Sequence, residues 1–394
     1  MSLTIKKQIG IIVISFNRTK SLTRLLNSLK NANYYGDIVD LTISIDYSGD
    51  FSVYDVATLF EWPFGEKIII QHKENLGLRK HVLFCGGLSE KYENICVFED
   101  DIFVSPSFYN FAKTASEFYE NDHQIAGISL YNHKWNYIAD RPFEPISSGY
   151  DMFLMQQAQS WGQVWNRKKW KEFIKWYEKN SSNMQQDDDF PKSIYNWPKS
   201  SWLKYHMKYL VENNKFFIYP QNSLTSNFSD IGTHASISST KYQVPLDMSA
   251  DKKYNFLSSK INVMNRYDIF FENIYLYENL GYSKSELTID LYGKKQNFNK
   301  YLLSSKEQNF RIIKSFGLKL RPHELNVIFE VEGKSIFLYD TSIVENNKKE
   351  KYFVLNKFIY DTRTSEKNTL MNVSLHYYYE ALKTLIRNVL KKIS

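Results

Sequence analysis

The sequence of 394 residues predicts an α/β protein with a mostly parallel central sheet, followed by a smaller β-rich unit. Short apolar runs alternate with segments whose apolar residues recur at helical spacing, which is typical of right-handed βαβ units. Acidic or cationic residues follow several of the apolar runs directly. In open α/β sheets, this position beyond the carboxyl ends of the strands is where ligands bind.

The first unit begins with a buried strand predicted over residues 10–15 and a turn over 16–21. The turn has no glycine, so it matches neither a dinucleotide-binding fingerprint nor a P-loop. Arg18 lies in this turn, where a guanidinium could hold a diphosphate or a base edge, although a surface arginine beside a helix start is more common. A helix is then predicted by four leucines at helical spacing: Leu22, Leu25, Leu26 and Leu29.

The next strands are predicted over residues 41–46, 67–72 and 125–130. The first of them ends in Asp46, which could accept a hydrogen bond from a ribose hydroxyl or a base, or could cap the following turn. A helix is predicted to open over residues 75–81, which include His81. It is expected to lead from the strand over 67–72 to an acidic strand.

The acidic strand is an apolar run from Ile95 that ends in Glu99, Asp100 and Asp101, the acidic motif. Adjacent carboxylates repel one another, and a hard cation such as Mg²⁺ or Mn²⁺ relieves this while also bridging to phosphate oxygens. The alternative is a solvated acidic turn beside a helix N-terminus. Ser105 and Pro106 predict the start of that helix.

Residues 147–177, which contain several tryptophans, are expected to form a loop and a helix that cover the sheet. An acidic run at 187–189 follows, and such runs are usually solvated. Beyond it we expect a helix from Trp202 that carries His206, and a short strand over 216–220. The polar loop, residues 226–234, ends in His234 and is of a kind that can close on a ligand.

Three units are predicted: residues 1–250, a β-rich unit over 251–375, and a basic amphipathic helix over 376–394. Within the second unit we expect a helix over 267–280 and strands over 316–320, 324–330 and 336–339. The terminal helix could lie on an anionic membrane, or dock on its own chain or on a second subunit in a homodimer.

Composition narrows the function classes. The net charge of +7 is modest and spread out, and no nucleic-acid-binding module accompanies it, so nucleic acid is not an expected partner. Two cysteines, Cys85 and Cys96, cannot build a disulfide framework or a zinc cluster. The apolar runs are shorter than a membrane span, so we expect a cytoplasmic protein, soluble or peripheral.

Residues 9–234 resemble a GT-A glycosyltransferase, in particular the N-acetylglucosaminyltransferase I family and its bacterial relatives. Residues 12–18, with Phe16 and Arg18, look like that family's first strand and its uridine-side arginine. Asp46 falls at the family's nucleotide-contacting aspartate, and His81 falls at a histidine near the UDP moiety.

The strongest part of this resemblance is the acidic motif, which looks like the family's Glu-Asp-Asp sequence. Its last aspartate, Asp101, would hold the metal, and Glu99 and Asp100 would lie on the donor side. The polar loop with His234 resembles the loop that orders over the nucleotide-sugar.

One departure concerns the catalytic base. The family has an aspartate after a tryptophan at the start of a later helix, whereas here Leu203 follows Trp202. Asp151 is the first substitute, followed by the run that contains Asp188, and by His206. Inversion at the anomeric carbon is implied by the resemblance only, since a retaining mechanism would need no such base.

The resemblance implies a GT-A (Rossmann-like) catalytic domain over residues 1–250 that uses Mn²⁺ or Mg²⁺. The expected reaction moves a hexosyl or N-acetylhexosaminyl group from a nucleotide-sugar, UDP-linked, to a hydroxyl of a glycan or lipid-linked glycan. Capsule or lipopolysaccharide synthesis at the inner face of a bacterial membrane would fit such an enzyme.

Two alternatives stay open. A sugar nucleotidyltransferase shares the sheet and the metal, but usually has a glycine-rich basic loop after the first strand, and residues 15–20 contain no glycine. A catalytically inactive nucleotide- or glycan-binding protein is favoured by the missing base after Trp202.

Overall fold

The computed structural model describes residues 9–230, 240–261, 264–347 and 353–363, together with positions 371, 374–375, 378–379 and 382–383. His234 and most of the predicted terminal helix lie outside the described residues. All statements below refer to the described part of the chain.

The structure alternates strands and helices through the first half of the chain and is richer in strands towards the end. The strands are β1 (Ile9–Ser15), β2 (Asp40–Ile45), β3 (Lys67–Gln71), β4 (Asn94–Glu99), β5 (Ile102–Val104), β6 (Ile125–Ser129), β7 (Trp135–Asn136), β8 (Arg141–Pro142), β9 (Met152–Met155), β10 (Gln163–Asn166), β11 (Phe216–Pro220), β12 (Thr225–Asn227), β13 (Arg266–Tyr267), β14 (Leu287–Asp290), β15 (Tyr301–Ser304), β16 (Phe310–Phe316) and β17 (Ile336–Val344). The α-helices are α1 (Thr19–Lys30), α2 (Ser52–Leu59), α3 (Gly77–Gly87), α4 (Phe108–Phe118), α5 (Arg167–Asn180), α6 (Lys192–Tyr195), α7 (Leu203–Glu212), α8 (Tyr275–Leu280), α9 (His323–Ile328) and α10 (Phe353–Thr362). A 3₁₀ turn over Leu88–Lys91 follows α3.

The central sheet has the strand order β3-β2-β1-β4-β10-β6-β11-β9-β13 within the described ranges. Its first four strands are mutually parallel, β11 is parallel to β6, and β10 is antiparallel to both of its neighbours. The predicted α/β class with a mostly parallel sheet is therefore confirmed. Ile14 pairs with Ser44 on one side and Glu99 on the other, so three strands end together at one edge.

Both faces of this sheet are buried under helices. Along β1, Ile11 and Val13 belong to a core with α1, α2 and α4, whereas Ile12 and Ile14 face a second core with α3, α5 and α7. Successive side chains of a strand point to opposite faces, so two helical layers explain the unbroken apolar run. The four leucines predicted for α1 are fully buried in the first core.

Several predicted elements differ from the structure. The segment 147–177 is not only a loop and a helix, because β9 and β10 both lie inside the central sheet. Met152–Met155 is buried on both faces, so its sequence lacks the alternation that marks a half-exposed strand. The helix after the acidic strand begins at Phe108 with Ser107 at its N-cap position, two residues later than Ser105 and Pro106 predict.

Two further differences concern the second half of the chain. Residues 267–280 are helical only over α8, since β13 and a turn precede it. Residues 324–330, predicted as a strand, contain most of α9 instead. Pro322 precedes this helix and Glu324 lies in its first turn, which are start signals that outweigh the apolar content of the segment.

A second, smaller sheet has the order β14-β15-β17-β16, and its own core includes Leu287, Leu303, Phe316 and Leu338. The predicted smaller β-rich unit is therefore present. The boundaries at residues 250 and 375 stay predictions, although Leu257 packs in the first core and β13 pairs with β9 in the central sheet. Among the described helices, none combines the length and apolar character needed to cross a bilayer.

An aromatic layer packs under α5 and α7 against the second face of the central sheet. The rings of Trp165 and Trp170 stack at 4.1 Å between centroids, and the His206 ring stacks on Phe173 at 4.2 Å. Gly86 in α3 leaves room for Trp170, because a Cβ at this position would lie 1.9 Å from Trp170 Cζ2. The layer therefore depends on a close approach that only glycine permits.

We expect Gly86→Ala to lower the free energy of unfolding by about 1–3 kcal/mol, since the added methyl must displace a ring that is stacked in a packed core. Urea denaturation measures this change. Gly87→Ala is the matched control, because Gly87 is exposed on the same helix and its Cβ would meet nothing within 4 Å. This control should raise stability by up to about 1 kcal/mol through helix propensity. Equal effects of the two substitutions would contradict the packing argument.

A pH dependence follows from the burial of His206, which lowers the pKa of its imidazole to about 3. The unfolded chain takes up a proton near pH 6.5 and the folded chain does not, so stability is lost as pH falls below 6.5. We expect His206→Phe to remove up to about 1.4 kcal/mol of this loss for each pH unit between 6 and 4. Chemical denaturation across this range measures it, and the exposed His123→Phe should leave the slope unchanged.

Candidate functional site

A cleft of about 640 Å³ opens at the sheet edge where β1, β2 and β4 end. Seven of the predicted site residues line it together: Phe16, Arg18, Asp46, His81, Glu99, Asp100 and Asp101. Parallel strands deliver these side chains to one edge because their carboxyl ends coincide. The strand ends predict a ligand site at the acidic motif, and the family resemblance adds Phe16, Asp46 and His81 to it.

Arg18 lies against the acidic motif. One guanidinium nitrogen contacts Asp101 Oδ2 at 3.3 Å, and another donates to Asp100 Oδ1. Ser15 Oγ donates to the second oxygen of Asp100 at 3.1 Å. Burial raises the pKa of Asp100 to about 6 even though Arg18 favours its charged form. The arginine therefore offsets only part of the charge that the motif accumulates.

Glu99 completes the motif. Burial, together with the negative charges of Asp101 and Asp100, raises the pKa of Glu99 to about 8. A bound cation would reverse this direction, since it favours the charged form of each carboxylate. The acidic motif therefore has more carboxylate groups than the single arginine can neutralise.

Asp101 Oδ1 is buried and makes no hydrogen bond within the described residues. An open carboxylate oxygen beside other acidic groups suits Mg²⁺ or Mn²⁺, which proteins often bind through one or two carboxylates plus substrate phosphates. The described residues contain no convergent set of three His, Cys, Asp or Glu side chains positioned to hold a metal. These donor atoms therefore fit a cation whose remaining coordination positions are filled by a bound ligand, rather than a cation that protein groups surround completely.

Asp46 lines the cleft, but backbone amides occupy its carboxylate. Its oxygens accept from the amides of Tyr47 at 2.9 Å, Leu76 at 2.8 Å and Gly77 at 3.0 Å. Gly77 has a φ of +73°, which allows the chain to turn into α3 at this point. The geometry favours the capping alternative for Asp46, which fixes α3 at the floor of the cleft.

His81 is the single histidine of α3, and its side chain is buried. Its Nε2 shares a hydrogen bond of 2.8 Å with Ser44 Oγ, and burial lowers its pKa to about 4. His81 is therefore neutral at physiological pH and can only offer a polar contact, not a positive charge, to a ligand.

The opposite wall is aromatic. Trp161 packs against Tyr242 with 5.0 Å between ring centroids and against Tyr131 at 4.9 Å. The backbone carbonyl of Trp161 accepts from Thr225 Oγ1 at 2.6 Å, which ties this wall to β12. Among the tryptophans of 147–177, Trp161 faces the cleft, whereas Trp165 and Trp170 are core.

Asp230 is a cleft residue that the sequence reasoning did not single out. It accepts from Ser21 Oγ at 2.7 Å and from Arg24, whose guanidinium lies 3.7 Å from the centre of the Phe228 ring. Burial acts to raise the pKa of Asp230, but Arg24 and Ser21 hold it below its ordinary value. Its position inside the polar loop was the available signal, since polar loops at strand ends often carry ligand contacts.

The three predicted catalytic residues are not brought to the cleft. Asp151 Oδ1 pairs with Lys252 at 2.7 Å, and its second oxygen accepts from the Asn255 amide at 2.8 Å. It precedes β9, which lies four strands from β4, or roughly 19 Å at the usual strand spacing. Asp151 therefore fastens residues 252–255 to the far side of the sheet.

The other two are also elsewhere. Asp188 is exposed and accepts from Asn297 Nδ2 at 2.7 Å, on the side of the smaller unit. His206 lies in the aromatic layer, where its 1% exposure leaves no access to a substrate. The spacing from Trp202 predicts only that His206 lies one helical turn further on, and packing on the inner face of α7 then encloses it.

No family model and no curated protein matches the chain. Among solved structures, S. aureus TarS 1–349 in complex with UDP-GlcNAc matches with 14% identity and a TM-score of 0.38, over 59% of this chain and 61% of that one. A mannosyltransferase from Pyrobaculum calidifontis in complex with GDP-Man and Mn²⁺ matches with 13% identity and a TM-score of 0.31, over 44% and 47%. The chain thus covers less than two thirds of these proteins, and a likeness at this level assigns it no activity.

Proposed function

We propose that the chain is a metal-dependent GT-A-type glycosyltransferase that moves a sugar from a nucleotide-sugar, UDP-linked, to an acceptor hydroxyl. The observation that carries the proposal is Asp101, whose open oxygen lies beside Arg18 in a cleft at the carboxyl ends of three parallel strands. A cation and a guanidinium side by side suit a diphosphate.

In this proposal the donor diphosphate lies between Arg18 and Asp101, and the nucleoside extends towards Phe16 and His81. Mn²⁺ or Mg²⁺ bound through Asp101 would neutralise charge on the leaving diphosphate. Arg18 supplies a second positive charge to the same group as the bond between the anomeric carbon and the phosphate oxygen breaks. Asp46 acts indirectly, by holding α3 in place.

The acceptor is then a hydroxyl of a glycan or a lipid-linked glycan, and its oxygen forms the new bond to the anomeric carbon. Its proton passes to a carboxylate. Asp151, Asp188 and His206 lie outside the cleft. Apart from Asp46, Asp100 and Asp101, the described carboxylates that line the cleft and are candidates to accept this proton are Glu99 and Asp230. The wall formed by Trp161 and Tyr242 supplies apolar faces for sugar rings.

The wider setting follows from the sequence resemblance. We propose that the acceptor belongs to a bacterial surface polysaccharide, such as capsule or lipopolysaccharide, and that transfer of a hexosyl or N-acetylhexosaminyl group occurs in the cytoplasm at the inner membrane. The basic segment over 383–392 supports contact with an anionic surface, and a homodimer through the same segment is the competing arrangement.

A second candidate is an inactive nucleotide- or glycan-binding protein. The position of Asp151, Asp188 and His206 away from the cleft favours it. The two candidates differ in turnover, because an active transferase hydrolyses its donor slowly when acceptor is lacking, whereas a binding protein releases it intact.

We expect one nucleotide class among UDP-, GDP-, dTDP- and CMP-linked sugars to raise thermal stability in the presence of Mn²⁺. The stabilisation is about 3 kcal/mol at roughly a hundredfold excess over the dissociation constant. Asp101→Asn should abolish the part that requires Mn²⁺, because it removes the negative charge of the carboxylate and replaces one of its two oxygens with an amide nitrogen. Differential scanning calorimetry gives both values.

Asp55→Asn is the control for the loss of one negative charge, since Asp55 is exposed on α2 and does not line the cleft. It should leave the Mn²⁺-dependent shift unchanged. A shift with no nucleotide class, or an equal shift in Asp101→Asn, would overturn the glycosyltransferase proposal.

A further inference from the structure

A second cavity, of about 370 Å³, lies where β8 of the first unit meets the smaller sheet and α10. It shares no lining residue with the cleft described above. Its walls come from five separated parts of the chain, so it exists only because the β7–β8 pair, the smaller unit and α10 pack together. No step of the proposed transfer reaction uses it.

The lining of this cavity is strongly cationic. Four positively charged side chains contribute to it, against one carboxylate: Arg141, Lys294, Lys306 and Lys357 against Asp361. Asp361 is itself held at ion-pair distance, with Oδ2 3.2 Å from Arg141 Nε and Oδ1 3.2 Å from His323 Nε2. The side chains that line the cavity therefore carry a net positive charge, which favours an anion.

The inner end of the cavity is polar and buried. His323 and Asp361 are 6% and 4% exposed, and His323 Nε2 and Asp361 Oδ2 make no hydrogen bond of normal geometry within the described residues. Both groups have an ion-pair neighbour but no aligned hydrogen bond, and buried polar groups are normally hydrogen-bonded, so each has the capacity for a further hydrogen bond. A hydroxyl group can satisfy both, because it donates to a carboxylate and accepts from an imidazole N–H.

The side walls of the cavity carry a lysine and two aromatic rings. Lys357 donates to Ser305 Oγ, which holds its ammonium at the cavity. Tyr292 and Phe358 contribute ring surface, which suits the apolar face of a sugar. Partners for hydroxyl groups, cations and ring surfaces in one cavity are together the requirements of an acidic sugar.

We propose that this cavity binds a saccharide that carries an oxyanion, either a phosphate or a carboxylate group. The sugar hydroxyls face His323 and Asp361, and the oxyanion contacts Lys294, Lys306 and Lys357. The site goes beyond the proposed transfer reaction and does not depend on it. A chain that binds no nucleotide-sugar would still bind an acidic saccharide here.

Isothermal titration calorimetry on the full chain tests this with glucose 6-phosphate, glucuronate, glucose and inorganic phosphate as probes. We expect at least one of the two acidic sugars to bind about tenfold or more tightly than both glucose and phosphate. Glucose lacks the oxyanion that contacts the lysines, and phosphate lacks the sugar ring and its set of hydroxyls. The tighter acidic sugar identifies the oxyanion. Equal binding of phosphate and glucose 6-phosphate with no binding of glucuronate, or no binding of either acidic sugar, overturns the proposal.

Variants locate the binding. Lys306→Gln and Lys357→Met should each weaken the acidic sugar about tenfold, the size expected for losing a charged hydrogen bond. Lys306 is exposed, so its variant stays informative if the half-buried Lys357 variant does not fold. Lys334→Gln, at an exposed position of the smaller unit outside the cavity, is the matched control and should bind normally.

Asp101→Asn separates this site from the nucleotide cleft. It should leave the affinity for the acidic sugar unchanged, even where it abolishes the Mn²⁺-dependent nucleotide shift. Weakened binding in Asp101→Asn with no change in Lys306→Gln would place the acidic sugar in the nucleotide cleft and overturn the proposal.

Discussion

Repulsion among three consecutive carboxylates at the end of β4 is the constraint on which the site depends. A buried carboxylate is costly unless it is paired, and here Glu99, Asp100 and Asp101 are adjacent in a narrow cleft. Arg18 and Ser15 satisfy part of this demand from the end of β1, the strand next to β4. The arrangement keeps the sheet edge in a state that a cation or a phosphate-bound cation would stabilise further.

The parts of the fold that were predictable rest on local pattern. The apolar run of β1, the spaced leucines of α1 and the position of the acidic motif after β4 each follow from a few neighbouring residues. Their convergence also follows, because parallel strands bring their carboxyl ends together whatever the exact order of the strands. This explains why Arg18 and the acidic motif could be placed close together from the sequence, whereas His81 was assigned to the site only by the family resemblance.

What could not be predicted depends on long-range pairing. β9 and β10 enter the central sheet between or beside strands that are distant in sequence, and no local signal distinguishes such a strand from a covering loop. Asp151 could therefore not be assigned to the far side of the sheet. His206 shows the same limit on a helix: its spacing from Trp202 was clear, but the aromatic residues that enclose it come from β10, α5 and β11.

The short pairing of β5 with β12 has a thermodynamic consequence. Asn227 of β12 lies opposite Ile102, and the Phe228 amide donates to the Asp101 carbonyl at 3.0 Å. The chain that leads into the polar loop is thus hydrogen-bonded to the same residue whose carboxylate oxygen is open. A ligand that draws Asp101 towards itself also pulls on β12, and any displacement of β12 acts back on Asp101. By linkage, the two events share a single coupling free energy, and each strengthens the other by the same factor.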